Sequence, residues 1–77
     1  MGAMGELKIL DTNGHTSTTW DSTNADEVET ARRIFNDLTD RGYRAFRMNR
    51  EGTDGVPKRT FDPAAKETLL VPPIHAG

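Results

Sequence analysis

The residues that most often carry catalysis are scarce in this 77-residue chain, which has two histidines and no cysteine. A metal site needs clustered ligands, but His15 and His75 lie near opposite ends of the chain. Ser17 or Ser22 with His15 and Asp11 has the residue types of a nucleophilic triad. These neighbours belong to one predicted two-stranded ribbon, which offers no water-excluding pocket. The sequence therefore predicts no catalytic residue, no metal site and no cofactor, hence a non-enzymatic protein.

Basic and aromatic residues alternate between residues 41 and 59. Arg44 and Arg47 lie beside Tyr43, and Arg59 follows further along the chain. Such interleaving is typical of surfaces that bind single-stranded nucleic acid, because cations neutralise phosphates and aromatic rings stack on bases. The same residues suit an anionic or protein ligand. We therefore take these four residues as the candidate binding site.

The charge of the chain favours a protein partner over nucleic acid. The net charge is −2, with eight acidic and three basic residues in 6–40 against seven basic and four acidic residues in 41–77. A phosphate-dominated interface normally requires an excess of positive charge over the domain. Single-stranded nucleic acid binding through 41–59 therefore remains the alternative to protein binding.

Length and composition predict one small soluble domain. The chain is 34% hydrophobic, and no apolar run approaches the roughly 20 residues of a membrane span. Residues 1–5 resemble a vector-derived leader, 6–73 form the predicted domain, and 74–77 are expected to be a flexible tail. The absence of cysteine fits a reducing compartment. We expect a cytoplasmic monomer with no membrane contact.

An Asn-Gly pair predicts a hairpin at the start of the domain. Asn13 and Gly14 suit the centre of a type I′ turn, which places Leu7 opposite Trp20 and Ile9 on the same face. One side of this hairpin is then apolar. It requires a helix to cover it.

A helix is predicted over residues 25–41. Asn24 and Glu27 have the spacing of a capping box, and Gly42 is a typical C-terminal stop. The apolar stripe consists of Val28, Ala31, Phe35 and Leu38. This stripe matches the apolar face of the hairpin.

The remaining strands are predicted at 43–48, 58–61 and 67–71, with an irregular mobile loop over 49–57. Alternation is taken to direct Phe46 and Met48 towards the helix. Leu69 and Val71 are assigned to the same core.

The order of these elements is typical of an α+β, β-grasp-like ββαβ(β)β domain, with one mixed sheet packed on one helix. Over residues 6–77 the chain resembles the ubiquitin-like family in element order, in the run Lys66 to Val71 and in a tail that ends at Gly77. Only Gly77 matches the Gly-Gly ending of that family's modifiers, since Ala76 precedes it. The resemblance implies that adenylation would activate the Gly77 carboxylate.

The combined expectation is a small protein-interaction module that catalyses nothing. It would act as a ubiquitin-like modifier or as an adaptor in a bacterial, phage or mobile-element complex. The binding residues expected are Tyr43, Arg44, Arg47 and Arg59, with Gly77 as the candidate for conjugation.

Overall fold

The computed structural model describes residues 4–48 and 55–73 as a five-stranded mixed sheet with one helix. The elements are β1 (Met4–Asp11), β2 (Gly14–Asp21), α1 (Ala25–Asp40), β3 (Arg44–Met48), β4 (Gly55–Lys58) and β5 (Glu67–Val71). Their order in the sheet is β2-β1-β5-β3-β4, in which β1 and β5 are parallel and all other neighbours antiparallel. The predicted α+β class and ββαβ(β)β order are confirmed. Within these residues no helix is long and apolar enough to cross a membrane.

The N-cap Asn24 and the terminal Gly42 act as predicted, but the capping box does not close. The Glu27 carboxylate accepts from the backbone N–H of Asp21 and from Asn24 Nδ2, and the Asn24 N–H donates to the Asp21 C=O instead. The Asn24 side chain accepts hydrogen bonds from the backbone N–H groups of Asp26 and Glu27, at 3.0 and 3.2 Å. Gly42 follows the helix with φ of +101°, the left-handed conformation that glycine adopts without strain. The helix ends at Asp40, and Arg41 is its C-cap.

The hairpin turn is displaced from its predicted position. The Asp11 carboxylate accepts a 2.7 Å hydrogen bond from the backbone N–H of Asn13. Thr12 and Asn13 are therefore the central residues, and Gly14 (φ +129°) pairs with Asp11 as the first residue of β2. The predicted type I′ turn at Asn13 and Gly14 is wrong, because this side-chain bond closes the turn one residue earlier.

The displaced turn shifts the strand register by two residues. Leu7 lies opposite Thr18, and Trp20 lies opposite Gly5 rather than Leu7. A two-residue shift leaves every side chain on its original face of the sheet. Leu7 and Trp20 therefore still share the face that α1 covers, and both are fully buried.

The faces predicted for β3 and β5 are wrong. Ala45 and Leu70 are 4% and 0% exposed, lie opposite each other and belong to the core, whereas Phe46 and Leu69 are half-buried on the other face. Both strands carry apolar residues on both faces, so alternation alone did not identify the buried side. The buried core comprises Leu7, Trp20, Ala31, Phe35, Ala45 and Leu70.

The fourth strand also differs from its prediction. It spans Gly55–Lys58 rather than 58–61, so residues 55–57 are not part of an irregular loop. Pro57 is tolerated because β4 lies at the edge of the sheet. Phe61 lies outside β4 and packs against the core. Its ring centroid is 5.0 Å from that of Trp20 and 5.7 Å from that of Phe35. The rest of the predicted loop, 49–54, lies outside the described residues.

The first strand begins at Met4, two residues before the predicted domain boundary at residue 6. Gly5 is buried directly beneath the Trp20 indole. A Cβ atom at Gly5 would overlap Trp20 Cζ2 and Cε2 and would lie 2.7 Å from Cη2. The position therefore requires glycine for close approach.

Replacing Gly5 with alanine tests this register. Gly5→Ala should lower the free energy of unfolding by about 1–3 kcal/mol or more, because Trp20 has no room to move in a packed core. Urea denaturation followed by Trp20 fluorescence measures the change. Met4→Ala is the control, since Met4 is 56% exposed, and should change stability by less than about 0.5 kcal/mol. Equal stability of both variants would contradict the register.

Asp21 links stability to pH. Hydrogen bonds donated by the Thr23 hydroxyl and backbone N–H, at 2.7 and 2.9 Å, hold the pKa of Asp21 below its usual 3.8. A carboxylate with a lower pKa in the folded state contributes stability above its unfolded pKa, and this contribution is lost as pH falls through the folded pKa.

We therefore expect Thr23→Val to raise the pKa of Asp21, as measured by carboxyl NMR titration, and to reduce the acid-dependent loss of stability. Thr39→Val is the control, because the Thr39 hydroxyl donates to the Asn36 carbonyl, away from Asp21. An unchanged Asp21 titration in Thr23→Val would show that the hydroxyl does not set this pKa.

Candidate protein-binding surface

One face of the sheet lies opposite α1. We call it the open face, because no described helix or strand packs on it. Strand pairing aligns one row of residues across all five strands on this face: Ser17, Lys8, Leu69, Phe46 and Pro57. The neighbouring row, which includes Leu70 and Ala45, points into the core beneath α1. Residues two positions away along each strand extend the open face.

The open face is divided into an apolar and a polar half. The apolar half lies on β3, β4 and β5 and comprises Phe46, Met48, Pro57, Leu69 and Val71. The polar half lies on β2 and comprises His15, Ser17 and Thr19. Phe46, Met48, Leu69 and Val71 are half-buried, so their neighbours cover only part of each side chain. The large apolar side chains therefore lie together in one half of the open face.

An ion pair marks the boundary between the two halves. Lys8 Nζ lies 3.0 Å from Glu67 Oε1 and joins β1 to β5 across the parallel pair. The hydrogen bond donated to Glu67 raises the pKa of Lys8 above its usual 10.5, and the charge of Glu67 adds to this effect. Because both side chains remain partly exposed to water, the pair orders the surface more than it stabilises the fold.

A basic groove adjoins the apolar half at the β3–β4 edge. It is lined by Arg44, Ala45, Phe46, Pro57, Lys58 and Arg59. Among the described residues, no carboxylate forms an ion pair with Arg44, Lys58 or Arg59. Arg44 lies on the same face as Phe46, whereas Lys58 pairs with Ala45 on the other face, so the groove runs along the edge with cations on both faces.

The four residues predicted as a binding site lie on different surfaces. Arg44 and Arg59 both line the basic groove. Arg47 shares a face with Ala45 and pairs with Asp62, whose Oδ2 lies 3.5 Å from Arg47 Nη1. Tyr43 packs against the core, so its ring is not positioned beside Arg44 as a stacking platform. Gly77, the predicted conjugation residue, lies outside the described residues.

Sequence reasoning assigned four residues of this surface to the core: Phe46, Met48, Leu69 and Val71. The sequence did contain a signal. Ala45 is next to Phe46 and Leu70 is next to Leu69, so each strand has an apolar residue on both of its faces. Because Trp20 and Phe35 already fill much of the space under α1, a small strand residue can face the core there as well as a large one. This signal identifies two possible faces without choosing between them.

The open face and the basic groove together form a surface with contact area and charge. Among residues 4–48 and 55–73, no group of three or more His, Cys, Asp or Glu side chains could hold a metal ion. The open face offers apolar contact area, and the basic groove offers cations at its rim. These are the components of a polar-rimmed protein interface.

The element order and sheet order are compatible with a β-grasp-like fold. Comparison of the chain with protein-family models, curated proteins and solved structures found no match. The function of the protein must therefore be inferred from its own surface.

Proposed function

We propose that this protein is a small, non-enzymatic interaction module that binds another protein through the apolar half of its open face. The observation that carries the proposal is the group of apolar residues on β3, β4 and β5, including Phe46 and Leu69, on the sheet face opposite α1. Contact between these apolar side chains and water is unfavourable, and a bound partner would bury them. Contiguous apolar surface of this kind commonly marks an interaction site.

The rim of the apolar half indicates the chemistry of the partner. Arg44 is exposed beside Phe46, and Arg59 is exposed at the end of the adjoining groove. Complementary charge steers association and suppresses wrong partners. We therefore infer a partner segment with apolar anchors for Phe46 and Leu69 and with acidic side chains that face the two arginines.

Single-stranded nucleic acid remains the second candidate for the basic groove. Arg44, Lys58 and Arg59 line this groove, and a base would stack on Phe46, which shares a face with Arg44. The net charge of −2 counts against this candidate, because phosphate binding gains from an excess of positive charge. It therefore ranks below protein binding.

A role as a ubiquitin-like modifier is a narrower form of the protein-binding proposal. The β-grasp-like order of the sheet supports it, and the C-terminal Gly77 is the residue that would be conjugated. Incubation with ATP and lysate of the source organism should then give covalent adducts that resist reducing agents and disappear when Gly77 is deleted. If no adducts form, the protein would act as an adaptor through noncovalent contacts.

Affinity capture with matched variants tests the proposed surface. The wild-type protein, Leu69→Ser and Val56→Ser are immobilised and exposed to the same lysate. Val56 is the control, because it is 56% exposed and pairs with Arg47 on the face opposite Phe46. Proteins retained specifically by the wild type should fall at least about tenfold with Leu69→Ser, as expected for an interface anchor, and should persist with Val56→Ser.

Equal retention by all three folded proteins would contradict the proposal. Circular dichroism and a denaturation midpoint for each variant establish that the loss reflects the surface rather than unfolding. Charge reversal of acidic residues in the captured segment should weaken binding to the wild type more than to Arg44→Ala.

Fluorescence anisotropy with an oligothymidine tests the nucleic-acid candidate separately. We expect no binding that depends on Arg44. If the three groove cations contact phosphates, affinity should fall by about 20-fold between 50 and 200 mM salt. Such a fall, abolished by Arg44→Ala, would favour nucleic acid over a protein partner.

A further inference from the structure

The β2 edge of the sheet has no described strand beside it. β2 is the outermost strand on its side and extends over eight residues, Gly14–Asp21. It contains no proline, lysine or arginine, which are the residues that commonly protect an edge from further pairing. The opposite edge, β4, has four residues and contains Pro57. The two edges therefore differ in their capacity to accept another strand.

The strand register shows which backbone groups of β2 point outwards. In an antiparallel pair, alternate residues direct their N–H and C=O groups away from the partner strand. The N–H of Asp21 donates to Glu27 Oε1 at 3.1 Å, and its C=O accepts from Asn24 at 2.9 Å. Both groups therefore point away from β1. Because the direction of the backbone groups repeats every two residues, the N–H and C=O groups of Thr19 and Ser17 also point away from β1.

The other side of β1 agrees with this assignment. Glu6 pairs with Thr19, and the N–H of Glu6 donates to the Lys66 C=O at 3.0 Å, on the side of β5. Glu6 and Thr19 thus turn their backbone groups away from each other. The outer edge of β2 consequently offers the N–H and C=O groups of His15, Ser17 and Thr19, while α1 already caps those of Asp21.

A groove runs along this edge, between β2 and the beginning of α1. It is lined by Thr18, Thr19, Asn24, Asp26, Glu27 and Thr30. An added strand would place every second side chain over this groove, beside the hydroxyls of Thr18 and Thr30. The edge and the groove therefore form one continuous surface.

The groove is acidic. Asp26 and Glu27 are its charged lining residues, and Asp21 lies at its end. Glu27 is held by the backbone N–H of Asp21 and by Asn24 Nδ2. Among the described residues, Asp26 forms no ion pair. A cationic side chain over the groove would meet uncompensated negative charge.

We propose that the β2 edge binds an extended basic peptide as a sixth strand of the sheet. Backbone hydrogen bonds to Ser17 and Thr19 hold the peptide, and its lysine or arginine side chains lie over the groove beside Asp26. This is the addition of a strand to an exposed sheet edge, in which the backbone supplies affinity and alternate side chains supply specificity.

A second copy of the chain fits this edge less well. Two β2 strands that paired with each other would bring no lysine or arginine to either groove, because β2 contains none. The charge of Asp26 would then remain uncompensated. A basic peptide is the better complement.

The inference does not depend on the proposed role of the open face. The outer edge of β2 and the apolar half, which begins at β5, are separated by β1. Leu69→Ser, which tests the open face, should leave peptide binding at the edge unchanged. Failure of one proposal therefore leaves the other testable.

Titration with a synthetic peptide provides the test. The probe is a capped seven-residue peptide of alternating lysine and valine, added to ¹⁵N-labelled protein in 50 mM salt. Chemical-shift changes should centre on β2 and the start of α1, and the amide protons of Ser17 and Thr19 should exchange more slowly when the peptide is bound. A peptide with glutamate in place of lysine should bind at least about tenfold more weakly.

Two controls separate backbone pairing from simple charge attraction. N-methylation of alternate peptide amides removes the donors on one peptide edge, so binding should weaken at least about tenfold when the methylated edge is the one facing β2. Two peptides are synthesised, one methylated at the odd-numbered amides and one at the even-numbered amides. Only the peptide whose methylated edge faces away from β2 should bind. Asp26→Asn should weaken binding about twofold to fivefold, whereas Asp40→Asn, the same charge change at the other end of α1, should not.

Ser17→Pro supplies a variant that removes one outward N–H. Because Ser17 does not donate to β1, the variant should fold and yet lose peptide binding. Equal binding of both methylated peptides, shifts centred on Phe46 and Leu69, or no binding at 1 mM peptide would overturn the proposal. Protection of Ser17 that grows with protein concentration in the absence of peptide would assign the edge to a second copy instead.

Discussion

The burial of Trp20 is the constraint on which the rest of the structure depends. Its side chain is fully buried and stacks on Gly5, where a Cβ atom would collide with it. Its Nε1–H donates to the Pro63 C=O at 3.1 Å, which satisfies the polar atom of the ring. Phe61 meets the ring edge-on, with centroids 5.0 Å apart. One side chain thus links the hairpin to the segment before β5.

This arrangement determines what the other strands contribute to each face. Trp20 and Phe35 occupy most of the space under α1, where β3 adds only the small Ala45 and β5 adds Leu70. The larger Phe46 and the adjacent Leu69 are left on the opposite face. The apolar half of the open face is therefore a consequence of how the core is filled, and it is the surface on which the proposed function rests. Among the described residues there is one helix, and it covers one face of the sheet.

The sequence predicted the parts of the fold that depend on local chemistry. Asn24 and Gly42 determine the ends of α1 through backbone hydrogen bonds and a positive φ, and both effects are local. The hairpin was predicted on the correct faces although its register was two residues out, because side-chain direction repeats every two residues. The requirement for glycine at position 5 could not be predicted, because it depends on the position of Trp20 on the neighbouring strand.

The candidate site was less predictable, because it depends on tertiary packing. Arg44 and Arg59 were identified from charge and do share a groove. Phe46 and Leu69 were assigned to the core, because β3 and β5 carry apolar residues on both faces and alternation does not distinguish the buried face from the open one. Tyr43 is separated from Arg44, because Tyr43 packs against the core.

The central claim is that β5 directs Leu70 into the core and Leu69 onto the open face. Because the chain has no cysteine, a single introduced thiol reports on one position. We predict that Leu69→Cys reacts readily with a disulfide reagent under native conditions. Leu70→Cys should react at least about tenfold more slowly, because its labelling requires the domain to open, and both should react alike in denaturant. Equal native rates, or faster labelling at position 70, would contradict the account.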